Sequence, residues 1–571
     1  MTLVAFAITV GFLFSVATTF ILPGQSLYWE ISTLISVFLA GHWLEMRAVR
    51  GATGALTELA KLIPKTAHLI KGGKQTDIET ESLKIKDVIL VKPGEKIPID
   101  GVVLEGDSSI DESMLIGESR PVSKQKGDKV IGGSLNQDGS LTIQVLKVGA
   151  STTVSQITKL IQGAQSSKPN VQVLADRAAG YLFYIAVAVG ILSFIFWLLI
   201  HPQNIIFAVT TAVAVVVVTC PHALGFAIPT VTTITSSLGA KNGILIKEMK
   251  ALELARKINY VVFDKTGTLT KGQFVIEEII QTSSREGGIE NILSLASSVE
   301  QNSQHSIAQS IIKEARARKI DLQKIIDFKS YPGKGATATV NGKKVAVGNE
   351  SLMKLLKLKT DKLKTRDAGT IVYVAMENKL IGALVLTDEV REESKKAIDK
   401  LHGMGIKVAM LTGDLDYVAK EVGKKLNIDT IFSQTLPEDK INKIKDLQSQ
   451  GNIVAMVGDG VNDAPSLTQA HVGIAIGAGT DVAVESAQIV LMKNNPLDVV
   501  KAINLSRKTN VKMLQNLAWA TGYNVFAIPL AAGVLYPKFG ILLKPEWAAI
   551  LMSMSSIIVV FNALLLKKVK L

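Results

Sequence analysis

Six segments of this 571-residue chain are long and apolar enough to cross a lipid bilayer as helices. Short connectors join them into three pairs, and two large polar blocks, about 51–175 and 236–510, separate the pairs. The sequence therefore predicts a multidomain membrane protein with an α-helical transmembrane bundle of about six helices. The predicted spans are residues 3–22, 28–46, 180–200, 205–229, 512–535 and 546–566.

The distribution of charge predicts which side of the membrane holds the polar blocks. The chain carries 63 Lys and Arg against 50 Asp and Glu, a net charge of +13. The basic residues flank the spans, as at Arg47, Arg50 and the C-terminal "KKVK", and the short connectors carry almost none. The positive-inside rule then places both blocks and the C-terminus in the cytoplasm of a multi-pass protein of the cell membrane. Membrane lipid is therefore an expected partner, and nucleic acid is not.

Two further features limit how the chain is processed and stabilised. A single cysteine cannot form an internal disulfide. The first apolar segment lacks a basic n-region and an A-x-A-like cleavage site, and it leads directly into the second. We therefore expect a retained helix and not a cleaved signal peptide.

The two polar blocks differ in their periodicity. Residues 83–148 alternate as short strands with Gly turns, which is typical of a compact all-β domain. The second block has apolar strands that end in a carboxylate and a Gly or Thr turn: "INYVVFD" at Asp264, "KVAMLTGD" at Asp414 and "NIVAMVGDG" at Asp459. Because parallel strands place ligands at their carboxyl ends, these acids should gather at one edge, with Asp463 nearby. Clustered oxygen ligands of this kind suit Mg²⁺, which also binds phosphate.

Three motifs resemble the signature of the P-type ATPases: "DKTGTLT" (264–270), "TGD" (412–414) and "GDGVNDAP" (458–465). The resemblance covers nearly the whole chain and implies the domain organisation of that family. It implies a cytoplasmic all-β actuator domain, an α/β HAD-like phosphorylation domain and an inserted α+β nucleotide-binding domain. In order, the expected parts are transmembrane hairpin 1 at 1–50, the actuator domain with linkers at 51–175, transmembrane hairpin 2 at 176–235, the phosphorylation domain at 236–272 and 385–510, the nucleotide-binding domain at 273–384 and transmembrane hairpin 3 at 511–571.

The same resemblance implies the catalytic residues and the substrates ATP and Mg²⁺. Asp264 would be the nucleophile that accepts the γ-phosphoryl group of ATP. Glu118 in "IGES" would orient the water that later hydrolyses the aspartyl-phosphate, although Ile116 departs from the usual Thr of that loop. The remaining implied catalytic residues are Lys265, Thr266, Thr412, Gly413, Asp414 and Lys440, and the Mg²⁺ ligands are Asp264, Thr266, Asp459 and Asp463.

Residue 266 separates two classes of enzyme with this core. Related phosphatases carry a second Asp two positions after the nucleophile as a general acid and base, whereas this chain has Thr266. Without a local base the phosphoenzyme should persist, which suits a pump that changes shape before losing phosphate.

The nucleotide-binding domain is similar to that of the heavy-metal (type IB) branch. "VEQNSQHSIAQSI" resembles the branch's Ser-Glu-His-Pro stretch, with Gln304 and Ser306 in place of the Glu and Pro. "PGKGATATVNG" and "VGNE" match its Gly-rich loop and Gly-Asn partner. The residues implied to surround the adenine and ribose are Glu300, His305, Gly333, Gly335 and Asn349.

Cys220, Pro221 and His222 stand in the middle of a predicted span. Proline removes a helical hydrogen bond there, and in lipid this is tolerated only where the freed groups face protein or a cavity. Thiolate and imidazole at membrane depth suit soft or borderline ions such as Cu(I), Cu(II), Ag(I) and Zn(II). The sequence therefore predicts a site for a transported metal ion.

The membrane segments resemble the copper-transporting members with a Cys-Pro-His motif, including their Tyr-Asn and Met-x-x-Ser-Ser elements. This resemblance implies ATP-driven export of copper, Cu⁺ or Cu²⁺, with Ag⁺ as a further candidate. The Cys-Pro-Cys of zinc and cadmium members is absent from the sequence. The implied copper ligands are Cys220, His222, Tyr523, Asn524, Met552 and Ser556.

Acidic residues near the ends of the spans match positions that serve metal passage in the family. Glu45 and Asp176 would serve uptake at the cytoplasmic side, where a copper chaperone or a small-molecule copper carrier would deliver the ion. Glu30 would serve release at the outer side. Heavy-metal pumps usually carry two more helices before the first span, and the copper branch adds a metal-binding tail. This chain starts at what would be the third helix, and if the two earlier helices are essential, the alternatives are a non-transporting membrane phosphatase of the HAD-like fold or a metal-binding relic. A zinc/cadmium-type pump is a separate alternative.

Overall fold

The computed structural model describes residues 2–21, 26–52, 62–113, 121–219, 221–282, 288–303, 305–360, 369–459, 463–477 and 485–569. Contacts within the chain divide it into two compact units. The first unit comprises Met1–Lys257, Gln488–Lys493 and Lys501–Leu571, and the second comprises Ile258–Ala487 and Asn494–Val500.

Long helices form the membrane part of the first unit. They are α1 (Thr2–Phe20), α2 (Tyr28–Ala52), α4 (Asn170–Ile200), α5 (Ile205–Val218), α6 (His222–Lys241), α15 (Leu497–Ala531) and α17 (Pro545–Leu564), with the short helix α16 (Tyr536–Phe539) between the last two. Helix α17 packs along α2, α5 and α6, and α4 packs along α5. The run Val215–Val218 of α5 is buried in one core with Met552, Ala548 and Ala531. Helix α5 ends at Val218 and α6 begins at His222, so the helix is interrupted next to Pro221, as the proline predicts.

Helices cover all six predicted spans, but not all of them are apolar enough to cross a membrane by composition. Among the described residues, three helical segments meet both requirements of length and apolarity: Asn170–Ile200, Ile205–Lys241 and Pro545–Lys568. Ala5–Phe20 is apolar but shorter. Of the three remaining helices, α1 is apolar over its described residues, and only α2 and α15 are less apolar than expected. Polar side chains interrupt the apolar surface of the last two, among them Glu30 in α2 and Asn516 in α15.

The cytoplasmic part of the first unit is a β domain, and it begins earlier than the periodicity of 83–148 predicts. One antiparallel sheet has the order β2-β1-β3-β9-β4-β7 and a smaller one the order β6-β5-β8. Buried Asp100 accepts hydrogen bonds from the Gly132 and Thr153 backbone N–H groups at 2.8 and 2.7 Å, which ties the sheet to α3 (Thr153–Ser166). The strands are β1 (Thr66–Lys71), β2 (Lys74–Glu79), β3 (Val88–Val91), β4 (Gly101–Glu105), β5 (Ser108–Asp111), β6 (Val122–Lys124), β7 (Lys129–Val130), β8 (Leu135–Asn136) and β9 (Leu141–Val145).

A short antiparallel strand pair completes the first unit. Strand β10 (Ile244–Ile246) follows α6 directly and pairs with β22 (Ile489–Leu491). Helix α7 (Met249–Ala255) comes next in the chain.

The second unit contains a parallel sheet whose central strand ends at Asp264. Its strands lie in the order β21-β20-β11-β18-β19, and each neighbouring pair is parallel. The strands are β11 (Tyr260–Asp264), β18 (Lys407–Leu411), β19 (Thr430–Phe432), β20 (Val454–Gly458) and β21 (Val472–Ile476). Helices α11 (Glu392–Gly403), α12 (Asp416–Leu426), α13 (Pro437–Ser449) and α14 (Ala464–Gln469) connect them.

An antiparallel domain is inserted after β11. Its six strands have the order β12-β17-β16-β15-β14-β13, and α8 (Gly288–Glu300), with α9 (Ser306–Ala317), covers the sheet. Helix α10 (Glu350–Leu355) follows the end of β15. The strands are β12 (Thr270–Gln281), β13 (Ile325–Tyr331), β14 (Gly335–Val340), β15 (Lys343–Gly348), β16 (Thr370–Met376) and β17 (Lys379–Val390).

Candidate functional site

The strand order brings the predicted acids to one edge of the parallel sheet. Every residue of β11 is buried, and its last residue, Asp264, lies opposite Leu411 at the end of β18. On the other side Phe263 lies opposite Val457, one residue before the end of β20. The segments that begin at Thr412 and Asp459 therefore leave the sheet next to Asp264, as parallel strands with short connections require.

Three carboxylates meet at this edge around one ammonium group. Asp264, Asp459 and Asp463 each offer an oxygen that lies within 4.8 Å of the others. The Lys440 Nζ atom donates to Asp264 Oδ1 at 2.6 Å and to Asp463 Oδ1 at 2.8 Å. Lys440, Asp264 and Asp463 are buried, so water does little to reduce the repulsion between the carboxylates. Such a set of oxygen ligands fits Mg²⁺.

The electrostatics of the cluster follow from burial and from repulsion between the acids. Burial, and then the neighbouring Asp463 carboxylate, raises the pKa of Asp264 to about 7. The same two causes raise the pKa of Asp459. Burial alone would lower the pKa of Lys440, but the Asp264 and Asp463 carboxylates outweigh it and raise this pKa. A bound cation would remove the repulsion that keeps these acids from ionising together.

The turn after Asp264 needs a glycine. Gly267 has a φ of +75°, and a Cβ atom built there would collide with a carboxylate oxygen of Asp459. Glycine alone tolerates both the backbone conformation and this close approach. The turn therefore seats the Asp459 carboxylate directly against the backbone that follows the nucleophile position.

The other predicted catalytic residues lie around the same edge. The Lys265 Nζ atom is paired with Asp414 Oδ2 at 2.5 Å, and Thr412 is buried. The Thr412 hydroxyl accepts a hydrogen bond from the Asp414 backbone N–H at 3.1 Å, which orders the "TGD" turn that contains Gly413. Thr266 is exposed, with φ and ψ of −75° and 129°.

Two side chains that hold this turn in place, Arg391 and Asp388, were not predicted from the sequence. The Arg391 side chain donates to the Thr270 carbonyl at 3.0 Å and to the Gly267 carbonyl at 3.3 Å. The Thr270 hydroxyl donates to Asp388 Oδ2 at 2.6 Å. The segment "TDEVR" thus holds both ends of the turn 265–270, although it lies about 120 residues later in the chain. The only signal in the sequence was a charged cluster at the end of a long apolar strand.

The predicted nucleotide residues fall into two groups. Asn349 joins the Gly-rich turn directly, because its Nδ2 atom donates to the Gly333 carbonyl at 2.9 Å and its backbone N–H donates to the Lys334 carbonyl at 2.8 Å. Gly333 and Gly335 have φ values of +71° and +138°. Glu300 and His305 lie at the connection of α8 and α9. Burial raises the pKa of Glu300, while His305 is exposed and caps α9.

A cavity of about 590 Å³ extends from Asn349 to Lys265, next to the edge of the parallel sheet where β11 ends. This volume is in the range of small-molecule sites. Its walls include Asn349 and Tyr373 on one side and Lys265, Asp388 and Asp414 on the other. The arrangement suits an elongated ligand with a flat group at one end and phosphates at the other.

Two of the six predicted copper ligands, Tyr523 and Met552, pack against the end of α5. The Tyr523 hydroxyl donates to the carbonyl of Val218, the last residue of α5, at 2.9 Å. Met552 is 1% exposed and lies in the same core as Val218. Asn524 and Ser556 are also buried, and within the described residues Asn524 Oδ1 and the Ser556 hydroxyl have no hydrogen-bond partner. Buried polar atoms are normally paired, so these two atoms are candidates for binding a ligand.

Several predicted residues lie outside what the structure describes. Glu118 and Cys220 are outside the described residues, and so are the side chains of His222 and Glu45. Asp176 is half exposed and pairs with Lys168 Nζ at 3.2 Å. Glu30 lies in the first turn of α2, and one of its carboxylate oxygens is buried without a hydrogen-bond partner among the described residues.

Comparison with known proteins shows the family to which the chain belongs. Residues 258–471 match the haloacid dehalogenase-like hydrolase family, and residues 61–162 match the P-type ATPase actuator domain. The chain belongs to the P-type ATPases, in their type IB branch, and is a multi-pass membrane ATPase.

The relatives and a solved structure agree on this placement. The chain is 49% identical to "Copper-exporting P-type ATPase B" of Archaeoglobus fulgidus, over 99% of this chain and 82% of that protein. It is 42% identical to "Probable copper-transporting P-type ATPase B" of Staphylococcus aureus, over 99% of this chain and 86% of that protein. The crystal structure of a zinc-transporting PIB-type ATPase in the E2.Pi state matches with a TM-score of 0.63 at 30% identity, over 99% of this chain and 90% of that one.

Proposed function

We propose that the protein exports copper ions with the energy of ATP hydrolysis, through an aspartyl-phosphate formed at Asp264. The observation that carries the phosphorylation chemistry is the contact of Lys440 with both Asp264 and Asp463, beside a third carboxylate. Copper is supported by the names of the relatives at 40–49% identity and by the chemistry of the Cys-Pro-His segment.

Phosphoryl transfer requires Asp264 as the nucleophile. Its carboxylate oxygen forms a bond to the γ-phosphorus of ATP while the bond from that phosphorus to the ADP oxygen breaks, and ADP leaves. Lys440 already points its ammonium group at Asp264 and would neutralise charge on the transferred group, with the Thr412 hydroxyl as a further donor. Asp264, Asp459, Asp463 and the Thr266 carbonyl would hold Mg²⁺, which supplies charge neutralisation. Lys265, held by Asp414, would face the phosphates in the cavity, with Gly413 in the wall.

Hydrolysis of the aspartyl-phosphate requires a base from another part of the chain. Thr266 stands where related phosphatases have an acid-base Asp, so Asp264 has no such neighbour in its own turn. Glu118 would take a proton from the attacking water. The water oxygen then bonds to phosphorus, the bond to Asp264 breaks, and inorganic phosphate leaves.

ATP would bind across the cavity between Asn349 and Lys265. Glu300, His305, Gly333, Gly335 and Asn349 would hold the adenine and ribose, and the phosphates would reach the acidic edge. The Asn349 contact with the Gly333 carbonyl keeps the Gly-rich turn in place for the nucleotide.

We expect Asn349→Ser to raise the KM for ATP by up to about tenfold, with a maximal rate within about twofold of the wild type. Serine keeps the helix cap that Asn349 provides to α10 but removes the amide that binds Gly333. The ATP dependence of phosphoenzyme formation measures this, and an unchanged unfolding temperature serves as the control. An unchanged KM would contradict the assignment of Asn349 to the nucleotide site.

The transported copper ion would bind where α5, α6, α15 and α17 meet. Cys220 and His222 flank the proline break, Met552 offers a thioether, and Tyr523, Asn524 and Ser556 complete the set. The buried oxygens of Asn524 and Ser556 lack hydrogen-bond partners among the described residues. This supports the site, because an oxygen without a hydrogen-bond partner can bind an ion without first breaking a hydrogen bond. Glu45 and Asp176 would admit copper from a chaperone or a small-molecule carrier, and Glu30 would release it.

We expect Cu⁺, Cu²⁺ or Ag⁺ to stimulate ATP hydrolysis more than Zn²⁺ does, because the ligand set is softer than a zinc site requires. Cys220→Ser and His222→Ala, made separately, should each raise the half-saturating copper concentration roughly tenfold or more. The measurement is ATPase activity in liposomes with each metal in turn. Thr211→Val is a matched control, since this hydroxyl of α5 bonds only the Phe207 carbonyl of its own helix, at 2.6 Å.

The outcomes of this assay separate the alternatives. If zinc stimulates ATP hydrolysis most and Cys220→Ser behaves as the wild type, the assignment of copper as the transported ion is refuted. The assignment as an ATPase would still stand. Hydrolysis of small phosphate esters without metal and without a phosphoenzyme would identify a membrane phosphatase. Metal binding without turnover would identify a relic.

A further inference from the structure

Lys512, at the cytoplasmic end of the predicted fifth span, begins a chain of hydrogen bonds between helices that includes none of the proposed copper ligands. Lys512 Nζ donates to Asn562 Oδ1 at 2.7 Å, Asn562 Nδ2 donates to Asn516 Oδ1 at 2.8 Å, and Asn516 Nδ2 donates to the Ala227 carbonyl at 3.1 Å. We call Lys512, Asn562 and Asn516 the relay. It connects α15 to α17 and α15 to α6, and Asn516 is fully buried.

On α15 the relay lies on the helix face that carries Tyr523, and on α6 and α17 it lies farther along the helices that carry other proposed copper ligands. On α15, Tyr523 follows Asn516 by seven residues, which is two helical turns on the same face, or about 10 Å along the axis. On α17, Met552, Ser555, Val559 and Asn562 follow the same spacing of three and four residues. On α6, Ala227 follows His222 by five residues. In each helix the relay lies on the cytoplasmic side of the proposed ligands, given that the charged blocks are cytoplasmic.

The hydrogen bonding of the relay differs from that of the copper site in a way that separates their roles. Each amide of the relay donates to its neighbour, and every donor points in the same direction, from the Lys512 ammonium towards the Ala227 carbonyl. Hydrogen bonds in such a chain polarise one another. In contrast, Asn524 Oδ1 and the Ser556 hydroxyl have no partner within the described residues. The relay therefore connects three helices through paired polar groups, whereas these two oxygens of the proposed copper site have no partner among the described residues.

We propose that the relay positions α6, α15 and α17 so that the copper ligands converge. This inference rests on the proposed function, because it assumes copper binding at Cys220 and His222. Interhelical polar bonds add little to the stability of membrane bundles, so positioning of the helices explains three such bonds in a row better than stability does. Fixing the Ala227 carbonyl fixes the second turn of the helix that begins with the Cys-Pro-His segment. Lys512, Asn516 and Asn562 act as positioning residues and do not contact the ion.

The test compares variants that break the relay with variants that keep it. Asn562→Leu removes both contacts of the central amide, and Lys512→Met removes the ammonium. For each we expect a rise of about tenfold in the half-saturating copper concentration, as for outer-shell partners of metal ligands. The maximal ATPase rate should stay within about twofold, because the site still fills at high copper. Lys512→Arg should behave as the wild type, since a guanidinium can still donate to Asn562 Oδ1.

Two controls separate positioning from a general effect on the bundle. Thr521→Val changes a hydroxyl of α15 that bonds only the Leu517 carbonyl of the same helix, at 2.8 Å, and should leave copper dependence unchanged. Copper binding without ATP should weaken by the same factor as the half-saturating concentration. If Asn562→Leu does not fold, the double variant Asn516→Leu/Asn562→Leu replaces the two amides with an apolar contact and is measured instead.

Each outcome decides the inference. If copper stimulates the wild type and the relay variants keep its half-saturating concentration, the relay is structural only and the inference is wrong while the proposed function stands. A loss of maximal rate without a change in copper dependence would also contradict the inference. If copper does not stimulate the wild type at all, the proposed function fails and this inference fails with it.

Discussion

Asp264→Asn is expected to abolish the phosphoenzyme and to lower ATP hydrolysis by about three orders of magnitude or more. The amide oxygen of asparagine is too weak a nucleophile to form a bond to phosphorus. Asparagine has nearly the same volume as aspartate and can still accept a hydrogen bond from Lys440, so the effect does not require any change in packing. The measurement is the transfer of radiolabel from the γ-phosphate of ATP to the protein, as an acid-stable and hydroxylamine-labile product.

A surface variant provides the control for this loss. Asp399 in α11 pairs with Lys395 of the same helix at 3.0 Å and is half exposed. Asp399→Asn should therefore label as the wild type does, because exposed pairs of this kind contribute little. Radiolabel that persists in Asp264→Asn would refute the assignment of the nucleophile.

Glu118→Ala is expected to trap the phosphoenzyme without preventing its formation. Loss of a general base slows proton transfer by roughly 10²–10⁴-fold, and Glu118 would act only on the water of the second step. Label should therefore appear at a normal rate and decay slowly in a chase with unlabelled ATP. This opposite behaviour from Asp264→Asn assigns the two residues to different halves of the cycle.

The matched control is a glutamate of the same domain that is far from any predicted chemistry. Glu105 is exposed at the end of β4, and Glu105→Ala should leave both formation and decay of the phosphoenzyme unchanged. If Glu118→Ala loses formation as well as decay, the loop is needed for folding and not for hydrolysis.

The contacts of Asp388 and Arg391 with the turn 265–270 could not be predicted from a single sequence. Asp388 and Arg391 contact the turn 265–270 across about 120 residues of chain, most of which form the inserted antiparallel domain. Their importance depends on the pairing of β12 with β17, which brings the end of β17 beside Thr270. A charged cluster after an apolar strand is common on protein surfaces, so its spacing alone did not distinguish it.

In the membrane part, too, the sequence predicted some features and missed others. The Cys-Pro-His segment predicted the interruption between α5 and α6, because proline lacks the N–H group that a continuous helix needs. The weaker hydropathy of α2 and α15 was not predicted, because long apolar stretches within these helices outweigh their scattered polar residues in the sequence. Asn516 and Asn524 look alike in sequence, yet one is fully paired and the other has an unpaired oxygen among the described residues.

The sequence by itself determined the class of chemistry, because strand-ending acids with Gly and Thr turns lie within short stretches whose local geometry is set by neighbouring residues. Asp264, Asp414 and Asp459 could be placed at one edge on that basis alone. Only the tertiary structure decided which groups share charge and hydrogen bonds: Lys440 between Asp264 and Asp463, and Lys512 with Asn562 and Asn516. These contacts join residues 23 to 176 positions apart, and their geometry depends on how whole strands and helices pack rather than on any local preference.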